Sequence, residues 1–306
     1  MICGGSGFIG QNLARYLLDE GHQVVILDRN APRIFSPQLQ SFTVDLLNPE
    51  LFRKDWFDGV EAVVNLSGKD IFTFWNSKAR KMIRDSRITV NRNLTSFMGS
   101  LTKKPFVFVS ASAVGYYGNK GETEILESGQ AGQGFLAEVC KEWEAAARDA
   151  EKTGMRSVQV RTAPALLRGG GILLQMLKSM RFGFAFYFGS GSQWFPWVHM
   201  KDLIRIYHTV IIDESFSGPV NACSPNPVRF IDFMRQITGF KKAVLVPFPS
   251  WILKIILRET ADVVLFSQRM MPGKLQEKNF QFSYPGLNDA LNEIFSEGQE
   301  NPDIKH

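Results

Sequence analysis

An α/β fold built on a doubly wound parallel sheet is predicted by three observations. Short runs rich in β-branched residues alternate with segments of helical period, a glycine-rich turn separates the first run from the first helix, and the runs are apolar throughout. Strands buried on both faces must read that way. Met1 to Cys3 opens the chain, GGSGFIG follows, and QNLARYLLDEGH then sets Leu13, Leu17 and Leu18 on one side of a helix. QVVILDR (23–29) is predicted as the second strand, SFTVDL (41–46) as the third and EAVVNLSG (61–68) as the fourth. One long amphipathic helix is predicted over 76–101, then a fifth strand, PFVFVSAS (105–112). The helix GFLAEVCKEWEAAARDAEKTG stops at Gly154, and SVQVRTA (157–163) is the sixth strand.

From Pro164 the rhythm changes. RGGGILLQML (168–177) turns into a helix, GSGSQWFPWVH (189–199) is rich in glycine and aromatics, and proline recurs. The expected division is a dinucleotide-binding domain over 1–215, a small carboxyl-terminal domain capping the crevice over 216–296, and a polar tail over 297–306. The second region is expected to be partly interleaved with the first.

The composition narrows the partners. A chain of 306 residues with 44% hydrophobic and 21% charged side chains can bury a large core, and its 25 phenylalanines are expected mainly to fill that core. The net charge of +5 is spread without a run that would track a phosphate backbone, so nucleic acid is not expected. VPFPSWILKIIL (246–257) falls short of the roughly 20 residues that span a bilayer, and no membrane partner is expected. The three cysteines are far apart and suit neither a disulfide framework nor zinc, so a reducing, cytoplasmic location is expected and no metal. The helices at 77–102 and 135–152 could pair in a homodimer, though their amphipathicity suits a monomer as well.

GGSGFIG satisfies G-x-x-G-x-x-G through Gly4, Gly7 and Gly10, with a strand before it and a helix after it. That context identifies a Rossmann-like dinucleotide site, in which the turn Gly4, Gly5, Ser6, Gly7, Phe8, Ile9 and Gly10 brings backbone N–H groups and a helix N-terminus to a pyrophosphate. Asp28 and Arg29 end the second strand where the adenine-side ribose should lie. An acid there favours the 2′-hydroxyl of NAD, and an arginine the 2′-phosphate of NADP, so the pair leaves NADP or NAD open. Asp45 and Leu46 are placed to meet adenine, and Asn65 to Gly68 to pass under the cofactor.

GGSGFIG, NLSG, RDSR (84–87), SASAVGYYG, GSGSQWFPWVHMKDL and PGKLQEKNFQFSYPGLNDAL, taken together and in order, resemble the epimerase-family proteins of the atypical short-chain dehydrogenase/reductase group. The resemblance runs from Gly4 to about Phe295 and implies an epimerase/dehydratase-like domain, a small carboxyl-terminal domain of unknown function, and NADP(H) or NAD(H) with an unassigned small-molecule substrate. It implies that Leu66 and Ser67 line the cofactor and that Arg87 reaches it, and Ser110 is also expected at the cofactor. The family usually has a small hydroxyl residue and then arginine after the second strand, so Arg29 matches and Asp28 departs. Ala163 and Pro164 stand where similar proteins often carry Gly-Val.

In the wider superfamily a serine after the fifth strand polarises the reacting oxygen, and a tyrosine moves its proton with help from a lysine one helical turn on. Ser112 aligns with that serine and Tyr117 with a Tyr-Gly turn, and these two are the expected catalytic residues. Tyr116 and Lys120 have the right spacing, but the glycines around them predict a turn in which it fixes no common face. The helix that should carry the pair has Phe135 or Leu136, and Val139 or Cys140, instead. His199 and Asp202 are further candidates, as an acid or base or as a helix cap. Two functions follow: an oxidoreductase or epimerase-like enzyme with an atypical site, or a cofactor-bound sensor or scaffold. Similar proteins have at times been linked to cell division.

Overall fold

The computed structural model describes residues 1–296, and the polar tail expected at 297–306 lies outside the described residues. Seven strands form the main sheet: β1 (Ile2–Cys3), β2 (Val24–Asp28), β3 (Leu39–Thr43), β4 (Ala62–Asn65), β5 (Val107–Ala113), β6 (Arg156–Thr162) and β7 (Gly218–Ala222). Their spatial order is β7-β6-β5-β4-β1-β2-β3, and β1 runs parallel to both its neighbours. The strand order reverses at β1, which makes its carboxyl end the switch point where such sheets open a ligand crevice. Only two residues long, β1 is still central, pairing Cys3 with Leu27 on one side and Asn65 on the other.

Three elements differ from the sequence expectation. The third strand starts two residues earlier, at Leu39, and ends at Thr43. The long helix is two, α2 (Ser77–Asp85) and α3 (Ile88–Gly99). Ser86 breaks it: its hydroxyl donates to the Ile83 carbonyl and accepts the Lys69 N–H, a local bond that competes with the helical ladder. The stretch from Val220, expected among the short strands and helices of the capping region, instead belongs to a seventh strand at the edge of the main sheet, where Pro219 is tolerated.

The chain forms two compact units, and they are not successive stretches. The first holds Met1–Tyr116, Gln133–Arg161 and Ile204–Val220; the second holds Tyr117–Gly132, Thr162–Leu203 and the rest from Asn221. The expected boundary at 215/216 falls just ahead of the last sheet strand. In the first unit, helix α1 (Phe8–Asp19) follows the glycine turn, and α3 and α4 (Phe135–Arg148) cover the sheet, packing Val90, Leu94, Met98 and Ala147 against Cys3, Val63 and Phe108. The second unit has its own core, in which Trp197, Phe230 and Phe233 meet Leu287, Leu291 and Ile294. No helix among the described residues is long and apolar enough to cross a membrane.

Glycine is required in the turn by contact distances. A Cβ on Gly10 would stand 2.3 Å from the Gly4 carbonyl oxygen, and one on Gly5 would stand 2.7 Å from the Ile26 side chain. Gly4 itself has φ +79° and lies against the backbone of Leu66 and Ser67. The segment after β4 is fixed by a buried amide chain. Asn65 accepts the Ser67 N–H and hydroxyl and donates to Asn91, which in turn donates to Ser110 and to the Trp143 carbonyl.

Two expectations test this packing. Asn91→Ala leaves Asn65, Ser110 and the Trp143 carbonyl short of partners and should cost about 2 kcal/mol, read as a lowered urea midpoint with unchanged slope. Gly10→Ala should cost on the order of 2 kcal/mol by overpacking, whereas Gly21→Ala, where the space is open, should be limited to the strain of its positive φ.

Candidate functional site

A cleft of about 310 Å³ opens in the first unit at the carboxyl ends of β1, β2 and β4. Of the residues expected to hold cofactor, Gly4, Ser6, Gly7, Asp28, Arg29, Asp45, Leu46, Leu66, Ser67 and Gly68 line it. Helix α1 begins beside it at Gly7 with no side-chain cap and no acid in its first turn, so its N-terminal N–H groups and positive dipole end are left for an anion. Phe8, Ile9 and Gly10 form that first turn, and Gly5 packs behind it on Ile26.

The two residues that pull in opposite directions on cofactor choice are placed differently. Asp28 turns back to the glycine loop: one carboxylate oxygen accepts the Ser6 N–H at 3.0 Å and the Ser6 hydroxyl at 2.6 Å, and the other accepts the Asn30 N–H at 3.3 Å. Arg29 is exposed at the rim and has no ion-pair partner among the described residues. Asp45 closes its own turn by accepting the Leu47 N–H.

The other expected cofactor residues stand behind the lining. Asn65 and Ser110 are wholly buried in the amide chain. Arg87 braces the turn from outside the cleft: its guanidinium lies 3.2 Å from where a Gly68 Cβ would be and donates to the Lys69 carbonyl at 2.9 Å. Ala163 and Pro164 belong to the second unit, where the Ala163 N–H bonds Ala222 and the Pro164 carbonyl accepts Val198. The sequence reading missed Asn30, Lys69, Met82, Asp85, Ser86 and Val90 on the cleft wall. The three-residue spacing of Met82 and Asp85 on α2 was a usable signal for a helix face, whereas Val90 lies on α3 beyond the break at Ser86.

Ser112, on β5, is 3% exposed and donates to Glu144 at 2.7 Å. Glu144, from α4, is clasped by Arg161 of β6 at 2.8 and 2.9 Å in a bidentate pair, both side chains buried. The Arg161 guanidinium lies 3.6 Å from the centroid of the Tyr116 ring. Where a tyrosine and lysine were looked for, α4 carries Phe135 and Val139, packed on Ile83, and Leu136 and Cys140, both close to Gly115. Burial, then the Glu144 carboxylate, pushes the Cys140 thiol up to about 12, so it cannot serve as an ionised substitute. Glu144 is the residue that sequence reasoning passed over, since one more glutamate on an amphipathic helix gives no sign of being buried.

Tyr117 does not fit the proton-transfer role expected of it. It lies in the second unit with its ring fully buried, and its hydroxyl is 2.7 Å from the Asn221 amide oxygen, to which it donates. The turn that carries Tyr116 ends at Gly118, with φ +61°, so no helix presents Tyr116 and Lys120 on one face. His199 and Asp202 also anchor structure. His199 Nδ1 accepts the Lys201 N–H, so Nε2 carries the proton and donates to Glu293 at 2.8 Å; burial holds its pKa below the ordinary histidine value, with Glu293 opposing. Asp202 accepts the N–H groups of Ser283 and Tyr284, each at 2.8 Å. The three cysteines are free and buried, and no group of three or more His, Cys, Asp or Glu among the described residues is placed to hold a metal.

Comparison with known proteins agrees with this geometry. Residues 1–221 match the profile of the NAD dependent epimerase/dehydratase family, and residues 248–294 match a domain of unknown function, DUF1731. The chain is 34% identical over 299 residues to the chloroplastic epimerase family protein SDR39U1 homolog of Arabidopsis thaliana, covering 96% of this chain and 85% of that one. Epimerase family protein YfhF of Bacillus subtilis is 31% identical, with 97% of each covered. Among solved structures, human epimerase family protein SDR39U1 with NADPH superposes with a TM-score of 0.83 at 28% identity, covering 96% of this chain and 98% of that one. The switch-point cleft, the glycine turn that shapes it and a match over two thirds of the sequence lead to one conclusion: this chain belongs to the NAD dependent epimerase/dehydratase family.

Proposed function

We propose that this protein binds NADP(H) in the cleft of its first unit and is an oxidoreductase or epimerase-like enzyme acting on a small molecule through an atypical active site. The observation that carries the reading is the uncapped N-terminus of α1 beside a cleft whose rim holds an unpaired Arg29. The N–H groups of Phe8 and Ile9, in the first turn of α1, are suited to the diphosphate, and Arg29 to a 2′-phosphate. Asp28 is already satisfied by Ser6, so it braces the loop and need not accept a ribose hydroxyl. The human relative solved with NADPH supports the same choice. When bound, the nicotinamide ring accepts or donates a hydride.

Ser112 is the catalytic group carried forward. Because its proton is given to Glu144, its oxygen offers lone pairs and suits a substrate hydroxyl that must be held and relieved of its proton. Arg161 clasps Glu144 and keeps it pointed at Ser112. Glu144 and Arg161 are positioning residues in this reading, and Tyr117 holds its own unit together. Three free thiols accord with a cytoplasmic or other reducing location.

Fluorescence titration should show NADPH bound at least about tenfold more tightly than NADH, or 1.4 kcal/mol. Arg29→Ala should bring the two close to parity. An NADH preference that ignores Arg29 would instead put Asp28 in control and overturn the cofactor assignment. A second reading, a nucleotide-bound sensor, is favoured by the apolar Phe135 and Val139 at the usual dyad. The two separate on Ser112→Ala tested with carbonyl, alcohol and nucleotide-sugar substrates. Lost turnover with retained NADPH binding marks the enzyme; no turnover by the wild type on any of them, with binding intact, marks the sensor.

A further inference from the structure

The second unit carries an apolar surface that its own core does not use. Phe182 is 82% exposed, and Phe184 and Val244 are also exposed. Phe184 and Val244 are partners in the parallel pair Phe184–Phe188 with Val244–Phe248, so their side chains lie together on one face. The neighbours Ala185 and Leu245 point the other way, into the core. From Phe248 the chain passes through Pro249 directly into the helix Ser250–Leu257. That helix buries Leu253 and leaves Trp251 64%, Ile255 69% and Ile256 53% exposed. Positions 251 and 255 are one turn apart on the same side of the helix, Ile256 widens that exposed apolar surface, and isolated surface hydrophobics do not gather in this way.

The stretches that carry these residues, 178–188 and 239–258, hold basic side chains and no acid, and the first acids after residue 258, Glu259 and Asp262, follow the helix, with Asp262 close to Lys254. Lys178, Lys241, Lys242, Lys254 and Arg258 are exposed. Aromatic and branched apolar groups beside lysine and arginine, on a helix only about 12 Å long, describe an element that lies in a bilayer surface without crossing it. This absence of acids also argues against a symmetric contact between two copies, which would set the patch, with its cations, against itself.

We propose that this face of the second unit docks on a membrane surface containing anionic lipid. Trp251, Ile255 and Ile256 enter the boundary between headgroups and acyl chains, and Lys254, Arg258, Lys241 and Lys242 meet the phosphates. The sequence expectation of no membrane partner rested on the lack of a spanning segment, and surface attachment needs none. The inference stands on the second unit alone and is independent of nucleotide binding.

Sedimentation of the full chain with vesicles tests it. The protein should pellet with phosphatidylcholine vesicles that contain phosphatidylglycerol, much less with phosphatidylcholine alone, and less again as salt rises. Trp251→Ser with Ile255→Ser, and separately Lys254→Glu with Arg258→Glu, should each weaken the association about tenfold. All four positions are exposed, so the thermal melt should not move. No binding to the anionic vesicles, or binding unchanged in both double variants, overturns the proposal. So does a wild-type dimer in analytical ultracentrifugation that Trp251→Ser with Ile255→Ser turns into a monomer, since the face would then belong to a second copy.

Discussion

The nucleotide end of the first unit depends on the carbonyl of Gly4 lying close enough to Gly10 that no Cβ fits between them. This contact draws the start of α1 onto the end of β1 and leaves the helix N-terminus open beside the switch point. Asp28 reinforces it from β2 by holding Ser6, and Leu66 and Ser67 reinforce it from β4 by lying against Gly4. The Asn65–Asn91–Ser110 chain then carries the constraint through α3 and β5 to α4. In the proposed reading, diphosphate recognition is a property of the packed sheet, and the cleft needs few charged side chains of its own.

The region around Ser112 departs from the wider superfamily. The helix that elsewhere holds a tyrosine and a lysine is apolar at both positions, and its first buried charged side chain is Glu144, about one turn further on. A buried Arg–Glu pair gains little in net stability, because the desolvation of both charges offsets their attraction. Its value here is directional: it fixes which oxygen faces Ser112 and sets the direction of the hydroxyl proton. In the proposed reading, this gives Ser112 a role without the usual tyrosine and lysine.

Much of this was legible in the sequence, for physical reasons. The glycine turn, the parallel sheet and most of the cleft follow from spacing and alternation, because steric limits on a backbone near a diphosphate leave few other solutions. The break at Ser86 was not legible, since it depends on Lys69 approaching from a distant loop. Neither was the placement of Tyr117, where the Tyr-Gly pattern suggested a catalytic group and the Asn221 side chain, 104 residues away, takes the hydroxyl. Long-range polar pairing decides such cases, and local sequence does not record it. Interleaving of the two units was expected, but the points at which the chain crosses between them were hidden, because both units return to the chain more than once. The lines of exposed Trp251, Ile255 and Ile256 were visible only as an apolar run until burial separated them from Leu253.

Amide hydrogen exchange with and without NADPH tests the central claim most directly. If the backbone of the glycine turn holds the diphosphate, the amides of residues 6–10 should exchange markedly more slowly in the complex, together with those of 66–68, while α4 changes little. Saturating NADPH that leaves the exchange of residues 6–10 unaltered would contradict the account, whatever the affinity.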